Sequence, residues 1–159
     1  MSGHILIGMP VPLVRGCIRN KRCYNKSQIF NGPLFNRERK NMRLLLVEDD
    51  PIQLKYLKVL IEDSFPDISV TTSGTYKEAM NIIDTAAYID IFVLDIMLTD
   101  TEDDPDGVSL GVHIKELTKY TNTPVIFITS YESRIYEAVN DVHCYSFIPK
   151  PVDESLLID

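Results

Sequence analysis

The chain has 159 residues, enough for one ordinary domain with a hydrophobic core, and 45% of them are hydrophobic. Its formal net charge of −7 is unevenly distributed: residues 1–41 carry eight Lys/Arg and one acid, whereas residues 42–159 carry eight Lys/Arg and 22 acids. No stretch reaches the roughly 18 consecutive apolar residues that a membrane span needs. Cys17, Cys23 and Cys144 form no CxxC pair, which disfavours a disulfide framework or a zinc site. Composition therefore predicts a cytoplasmic protein with one acidic domain behind a basic segment.

The basic segment, residues 1–41, shows neither helical nor strand periodicity and contains the clusters "RNKRCYNK" and "NRERK". We expect a disordered extension, because such a sequence offers no apolar face to pack. Two alternatives stay open. The segment is a basic arm that neutralises nucleic-acid phosphates, or it is upstream sequence translated ahead of a natural start at Met42.

From Met42 onward, short apolar or β-branched runs alternate with segments of helical periodicity. The predicted strands cover residues 42–47, 68–72, 89–95, 124–129 and 144–148. The predicted helices cover residues 51–64, 75–88, 107–120 and 131–142. Strands that are apolar throughout and are separated by helices predict an α/β domain, a doubly wound five-stranded parallel sheet with helices on both faces.

The first helix has the clearest start signal. Asp50 stands at the N-cap position and Pro51 at the first helical position. Leu54, Leu57 and Ile61 follow at helical spacing, and in the second helix we expect Tyr76, Met80, Ile83 and Ala87 to share one face.

Polar residues stand where the predicted strands end. Glu48 and Asp49 follow the first strand, Asp95 the third, Thr129 the fourth, and Lys150 the fifth. In open parallel sheets these ends lie at one edge, where ligands bind. Two carboxylates about 4 Å apart repel by roughly 4 kcal/mol at an effective dielectric constant of about 20, so a divalent cation with oxygen ligands, such as Mg²⁺, is favoured.

A carboxylate at such a site can also act as a nucleophile and form an aspartyl-phosphate. The product requires positive charge and hydrogen-bond donors at its new oxygens. Lys150 and the Thr129 hydroxyl are suited to supply them.

The motifs "LLLVEDD", "VLDIML", "IFITS" and "FIPKP", in this order and separated by α/β units, resemble the receiver domain of two-component response regulators. The resemblance covers residues 42–152 and implies a flavodoxin-like fold with strand order 2-1-3-4-5. It also implies a cis peptide bond between Lys150 and Pro151.

The resemblance assigns roles to seven residues of this sequence. They are Asp95 as phosphoacceptor, Glu48 and Asp49 as acidic pair, the Met97 carbonyl as a further metal ligand, Thr129 as switch hydroxyl, Phe147 as switch aromatic, and Lys150 as phosphate-binding lysine. It implies a Mg²⁺-dependent signalling switch, not an enzyme, phosphorylated by a sensor histidine kinase. Dimerisation is compatible with this role, DNA contact is expected only through an output domain absent from this chain, and no membrane contact is expected.

The sequence departs from the family pattern after the acceptor. Thr99 replaces the proline usually found four residues on, and Gly107 comes twelve residues after Asp95, where the family usually has a glycine eight residues on. The loop "TDTEDDPD" is therefore longer by four residues. The chain ends nine residues after Lys150, so we expect a C-terminally incomplete receiver domain, 42–159, with a truncated fifth helix. The segment "DGVSLGVHIK" and the sequence around the fourth helix also resemble receivers that precede LytTR-type DNA-binding domains.

Two other functions were weighed. A phosphatase of the haloacid dehalogenase type requires a second Asp two residues after the nucleophile, where this chain has Met97. A pseudo-receiver that binds partners without phosphate stays open as the alternative.

The acidic loop imitates an EF-hand through Glu102, Asp104, Asp106 and Gly107. Position twelve is His113, where calcium binding requires a bidentate Glu. A solvated acidic loop is therefore predicted.

We predict that residues 1–41 are dispensable for folding. A protein that begins at Met42 should keep its Tm within a few degrees, because a segment without an apolar face contributes few packing contacts. Thermal unfolding followed by circular dichroism checks this. A large fall in Tm would show that the segment packs on the domain.

Overall fold

The computed structural model describes residues 41–98, 105–130 and 132–152. The expected disordered extension, apart from Asn41, and the expected truncated fifth helix lie outside the described residues. The loop residues 99–104 also lie outside them.

A single parallel sheet of five strands organises the described chain. The strands are β1 (Met42–Val47), β2 (Ile68–Ser73), β3 (Ile91–Leu94), β4 (Val125–Thr129) and β5 (Ser146–Pro149). Their spatial order is β2-β1-β3-β4-β5, with every neighbouring pair parallel. The predicted doubly wound fold and its strand order are confirmed. The Lys150-Pro151 bond is cis, as expected.

The strands are connected by helices, as the alternating pattern predicts. These are α1 (Pro51–Ser64), α2 (Tyr76–Thr85), α3 (Gly107–Glu116) and α4 (Ile135–Asp141), with 3-10 turns at Thr118–Tyr120 and Glu132–Arg134. Within the described ranges, none of the helices has the length and apolarity that a membrane crossing demands.

Helix α1 begins where the sequence predicts. Asp50 Oδ1 accepts hydrogen bonds from the backbone N–H groups of Ile52 (2.8 Å) and Gln53 (3.2 Å), which satisfies two otherwise unpaired donors of the first turn. The bonds from Gln53 and Ile52 lower the pKa of the Asp50 carboxyl. Asp50 is therefore the N-cap of α1.

Helices α2 and α3 are both shorter than predicted, for tertiary reasons. The Lys119 ammonium donates to the Ile83 carbonyl in the last turn of α2 (2.9 Å), and the backbone turns extended at Ala86. Ala87 consequently lies outside the helix and is exposed, so its predicted place on the buried face is wrong. After α3 the chain turns inward, and Tyr120 is fully buried with its ring edge-on to Phe92 at 5.1 Å.

The sheet separates two hydrophobic clusters. Alternate strand residues such as Leu44 and Val93 pack with α1 on one face, whereas their neighbours Leu45 and Phe92 pack with α2, α3 and α4 on the other. Burial on both faces explains why the strands are apolar throughout.

Parallel pairing brings the carboxyl ends of the central strands together. The Asp95 N–H donates to the Val47 carbonyl at the end of β1 (2.9 Å), and the Lys150 N–H donates to the Thr129 carbonyl at the end of β4 (2.9 Å). The predicted site residues therefore meet at one edge of the sheet.

Candidate functional site

Three carboxylates meet at this edge. Glu48 and Asp49 follow β1 and Asp95 follows β3, and each offers a carboxylate oxygen within 4.8 Å of the others. Glu48 and Asp95 are buried, with 1% and 6% of their surface exposed, whereas Asp49 is exposed. Two carboxylates of the cluster are therefore buried, and the third is exposed to solvent.

The Lys150 ammonium lies between the two buried carboxylates. Its Nζ donates to Asp95 Oδ2 at 2.6 Å and to Glu48 Oε1 at 2.9 Å. The Lys150 side chain is itself only 9% exposed. Charge-assisted hydrogen bonds of this kind are stronger where solvent is partly excluded than at the protein surface. This lysine therefore contributes strongly to fixing the positions of the two carboxylates.

One ammonium does not balance three carboxylates. Burial raises the pKa of Glu48 to about 7, and the charges of Asp95 and Asp49 add to the rise against the opposing effect of Lys150. Burial alone would lower the pKa of Lys150, but its hydrogen bonds and ion pairs with Asp95 and Glu48 raise it above the ordinary value. The lysine is therefore held charged, and Glu48 is the carboxyl group whose ionised form is disfavoured.

The donor set fits a divalent cation. Glu48 Oε2 is buried and accepts no hydrogen bond from the described residues, although Lys150 Nζ lies 2.7 Å away in an ion pair. Such an atom retains lone pairs for a further positive partner, and Asp49 adds an exposed oxygen. Hard oxygen ligands with positions left for water suit Mg²⁺.

Met97 contacts the carboxylate oxygen of Asp95 that Lys150 does not bind. Its backbone N–H points to Asp95 Oδ1 at 3.3 Å, and Lys150 binds the other oxygen. The two oxygens of Asp95 therefore have different environments. The role of the Met97 carbonyl as a metal ligand stays a prediction.

Thr129 and Phe147 occupy neighbouring strands beside the acidic cluster. Thr129 is fully buried at the end of β4, opposite Pro149. Phe147 lies opposite Phe127 in the register of β4 and β5. It is half-buried and packs against the hydrophobic cluster that α3 and α4 cover. Both lie where the motifs predict, and their switch roles stay predictions.

Gly107 holds the start of α3 against the backbone of Asp95. A Cβ atom built on Gly107 would lie 1.7 Å from the Asp95 carbonyl oxygen, and the Gly107 N–H donates to the Ile96 carbonyl (2.8 Å). No other residue fits this approach without a shift of the backbone. The start of α3 is therefore held at a fixed point beside Asp95.

An ion pair near the acceptor was not predicted from the sequence. Asp106 Oδ1 caps α3 by accepting from the Ser109 N–H (2.8 Å), and its Oδ2 pairs with Arg134 Nη1. The capping bond and Arg134 lower the pKa of Asp106 against the opposing effect of burial. Asp106 is thus a cap and an ion-pair partner, and the other EF-hand-like acids, Glu102 and Asp104, lie outside the described residues. Arg134 stands in a weakly periodic segment, so only the folded chain reveals its position.

The sequence model of the response regulator receiver domain family matches residues 44–159, well over half of the chain. The chain belongs to this family. The match confirms the resemblance carried by the strand-end motifs and places this receiver domain among the modules of two-component signalling. The narrower resemblance to receivers of LytTR-type regulators stays a prediction. A comparison with curated proteins found no match.

Solved receiver domains share the fold. The signal receiver domain of an HD domain-containing protein from Pseudomonas fluorescens Pf-5 is 21% identical, with a TM-score of 0.64 over 75% of this chain and 89% of that one. The receiver domain of a signal transduction histidine kinase from Syntrophus aciditrophicus is 23% identical, with a TM-score of 0.61 over 73% and 83%. The phosphorylated cyanobacterial phytochrome response regulator RcpA is 23% identical, with a TM-score of 0.62 over 74% and 86%. At these identities the likeness shows the fold alone.

Gly107→Ala should destabilise this receiver domain by about 1–3 kcal/mol, because the new Cβ must displace the backbone of Asp95. Gly74→Ala is the matched control, since its Cβ would meet the nearest atom, the Glu48 carbonyl oxygen, at an ordinary 4.0 Å. We expect the control to stay within about 0.5 kcal/mol of the wild type. Urea unfolding of both variants measures the difference, and equal losses would contradict the steric explanation.

Glu48 should make the metal-free protein less stable as pH rises. Its pKa is raised from 4.5 to about 7 in the folded state, so the folded chain binds the extra proton more tightly than the unfolded chain. The resulting stabilisation is complete below pH 4.5 and is lost progressively up to pH 7, by at most about 3 kcal/mol.

Urea unfolding in the presence of a chelator, at several pH values between 5 and 8, tests this. Glu48→Gln should flatten the dependence, whereas the control Glu62→Gln on α1 should retain it. The same slope in wild type and Glu48→Gln would refute the assignment to Glu48.

Proposed function

We propose that this receiver domain is a phosphorylation-dependent switch that accepts a phosphoryl group on Asp95 from a partner histidine kinase. The carrying observation is the position of the Asp95 carboxylate. It is buried beside the acidic pair and bound on one oxygen by Lys150 at 2.6 Å, and its other oxygen lies 3.3 Å from the Met97 N–H. A buried nucleophile with a cation and a backbone donor beside it is suited to phosphoryl transfer.

In the proposed step, an oxygen of Asp95 attacks the phosphorus of a phosphohistidine on the kinase. The new P–O bond forms as the P–N bond breaks, and the imidazole leaves with the electron pair and takes up a proton from solvent. Lys150 stays beside the acceptor and stabilises the negative charge of the transferred group, while the Met97 N–H and the Thr129 hydroxyl would donate to it.

A divalent cation would be held by Glu48, Asp49, Asp95 and the Met97 carbonyl. The main support is the cluster of three carboxylates that shares a single ammonium group. When bound, Mg²⁺ would neutralise charge on the carboxylates and on the phosphoryl oxygens. Glu48 must be deprotonated to join it. Its pKa of about 7 in the metal-free protein therefore makes cation binding and proton release linked events.

Thr129 and Phe147 would report the phosphoryl group to the surface formed by the ends of β4 and β5. The partner is a sensor histidine kinase, and any DNA contact would require an output domain. The same proposal includes domain boundaries at residues 42–159, a cytoplasmic location, dimerisation and the absence of enzyme activity. The family match supports it. The histidine-kinase receiver and the phosphorylated response regulator with the same fold are in keeping with it.

Asp95→Asn should abolish covalent labelling by acetyl phosphate in Mg²⁺, because an amide cannot form the acyl phosphate. Intact-protein mass spectrometry detects one added phosphoryl group on the wild type and none on the variant. Asp63→Asn, an exposed aspartate near the end of α1, is the matched control and should label like the wild type.

Equal labelling of Asp95→Asn and wild type would place the acceptor elsewhere. An unlabelled wild type that still binds Mg²⁺ would instead favour the pseudo-receiver, a module that binds partners without phosphate.

A further inference from the structure

Arg134 reaches from the connection after β4 to the chain around the acceptor. It ends the 3-10 turn Glu132–Arg134, and its side chain is 30% exposed. Its Nη1 pairs with Asp106 Oδ2 at 2.5 Å and lies 4.0 Å from Met97 Sδ. The guanidinium is therefore held between the residue that caps α3 and the residue two positions after Asp95.

One neighbour of this guanidinium contacts the acceptor, and the other is adjacent in sequence to a residue that does. The Met97 N–H points to Asp95 Oδ1 (3.3 Å), and Asp106 is followed by Gly107, which abuts the Asp95 carbonyl. Lys150 already occupies the side of Asp95 Oδ2. A phosphoryl group attached at Oδ1 would therefore extend on the Met97 side, and Arg134 is a cation whose guanidinium lies beside the Met97 sulfur.

The charges at the site call for a further cation after phosphorylation. Lys150 and a divalent cation together balance Glu48, Asp49 and Asp95 as carboxylates. The acyl phosphate carries one more negative charge than the carboxylate it replaces. A guanidinium is always protonated and presents a planar fork of donors that matches phosphate oxygens.

We propose that Arg134 is a phosphoryl-binding residue that exchanges Asp106 for the phosphoryl group on Asp95. The inference rests on the proposed function. In the unphosphorylated protein Asp106 competes for the guanidinium, and a partly exposed ion pair is a weak competitor. The exchange would draw the turn before α4 toward the acceptor and would free the carboxylate at the start of α3, so that both connections report phosphorylation.

The two members of the ion pair give opposite predictions. Arg134→Gln should weaken the binding of beryllium fluoride, a stable phosphoryl analogue, to the Mg²⁺-loaded protein by about tenfold, because a charge-assisted contact is lost. Asp106→Asn should tighten it by about threefold, because the competitor is gone and asparagine still caps α3. Titration followed by fluorine NMR, which needs no tryptophan, measures both dissociation constants.

A purely structural ion pair would give a different pattern. Either substitution would then loosen the same two connections and change affinity in the same direction. Arg134→Lys should recover part of the lost affinity, since it restores the charge without the planar fork. The half-life of the acyl phosphate is a second readout. We expect Arg134→Gln to change this half-life, whereas Asp106→Asn should hold the phosphoryl group at least as well as the wild type does.

Acetyl phosphate labelling of the wild type separates the two proposals. If the wild type is labelled and Arg134→Gln binds beryllium fluoride as tightly as the wild type, the role of Arg134 is refuted while the switch function stands. If Arg134→Gln does not fold, Asp106→Asn decides alone: tighter binding supports the exchange, and unchanged or weaker binding overturns it. A wild type that neither labels nor binds the analogue would overturn the switch function and the exchange together.

Discussion

The site depends on one ammonium group shared by buried carboxylates. Lys150 Nζ contacts both Glu48 and Asp95 at hydrogen-bond distance, and each of the three side chains is almost entirely buried. A buried carboxylate is costly without a positive partner. The lysine therefore makes the strand-end aspartate tolerable, yet one positive charge leaves the cluster short of neutral. Burial and that deficit together raise the pKa of Glu48, and the deficit is the basis of the affinity for a further cation inferred for the site.

The sheet provides the rigidity that this arrangement needs. Glu48 and Asp95 follow neighbouring parallel strands. The backbone hydrogen bond from the Asp95 N–H to the Val47 carbonyl fixes the positions of these two residues relative to each other along the strand direction. The cis bond after Lys150 lies directly beyond β5. Gly107 holds the start of α3 against the backbone of Asp95, so this helix begins at a fixed point beside the site.

Much of the fold and of the site was predictable, for identifiable reasons. Apolar strands separated by helices specify a parallel sheet, and the cap at Asp50 fixed the start of α1. The helix ends were less predictable. The end of α2 coincides with a bond from Lys119, which comes from a distant turn, and the end of α3 coincides with the burial of Tyr120 against Phe92. Such contacts join residues far apart in the chain, and periodicity cannot report them.

The sequence by itself determined the strand order through its family motifs. It also determined the three carboxylates and the lysine of the site, because each of these is a residue type at a strand end. Only the tertiary structure decided how the charge is shared. The rise of the Glu48 pKa requires burial, the contact between Lys150 and two carboxylates requires parallel register, and the pairing of Arg134 with Asp106 requires two loops to meet. Local sequence encodes which groups are present, whereas distance and solvent exclusion set their charge, and both arise only when the chain is folded.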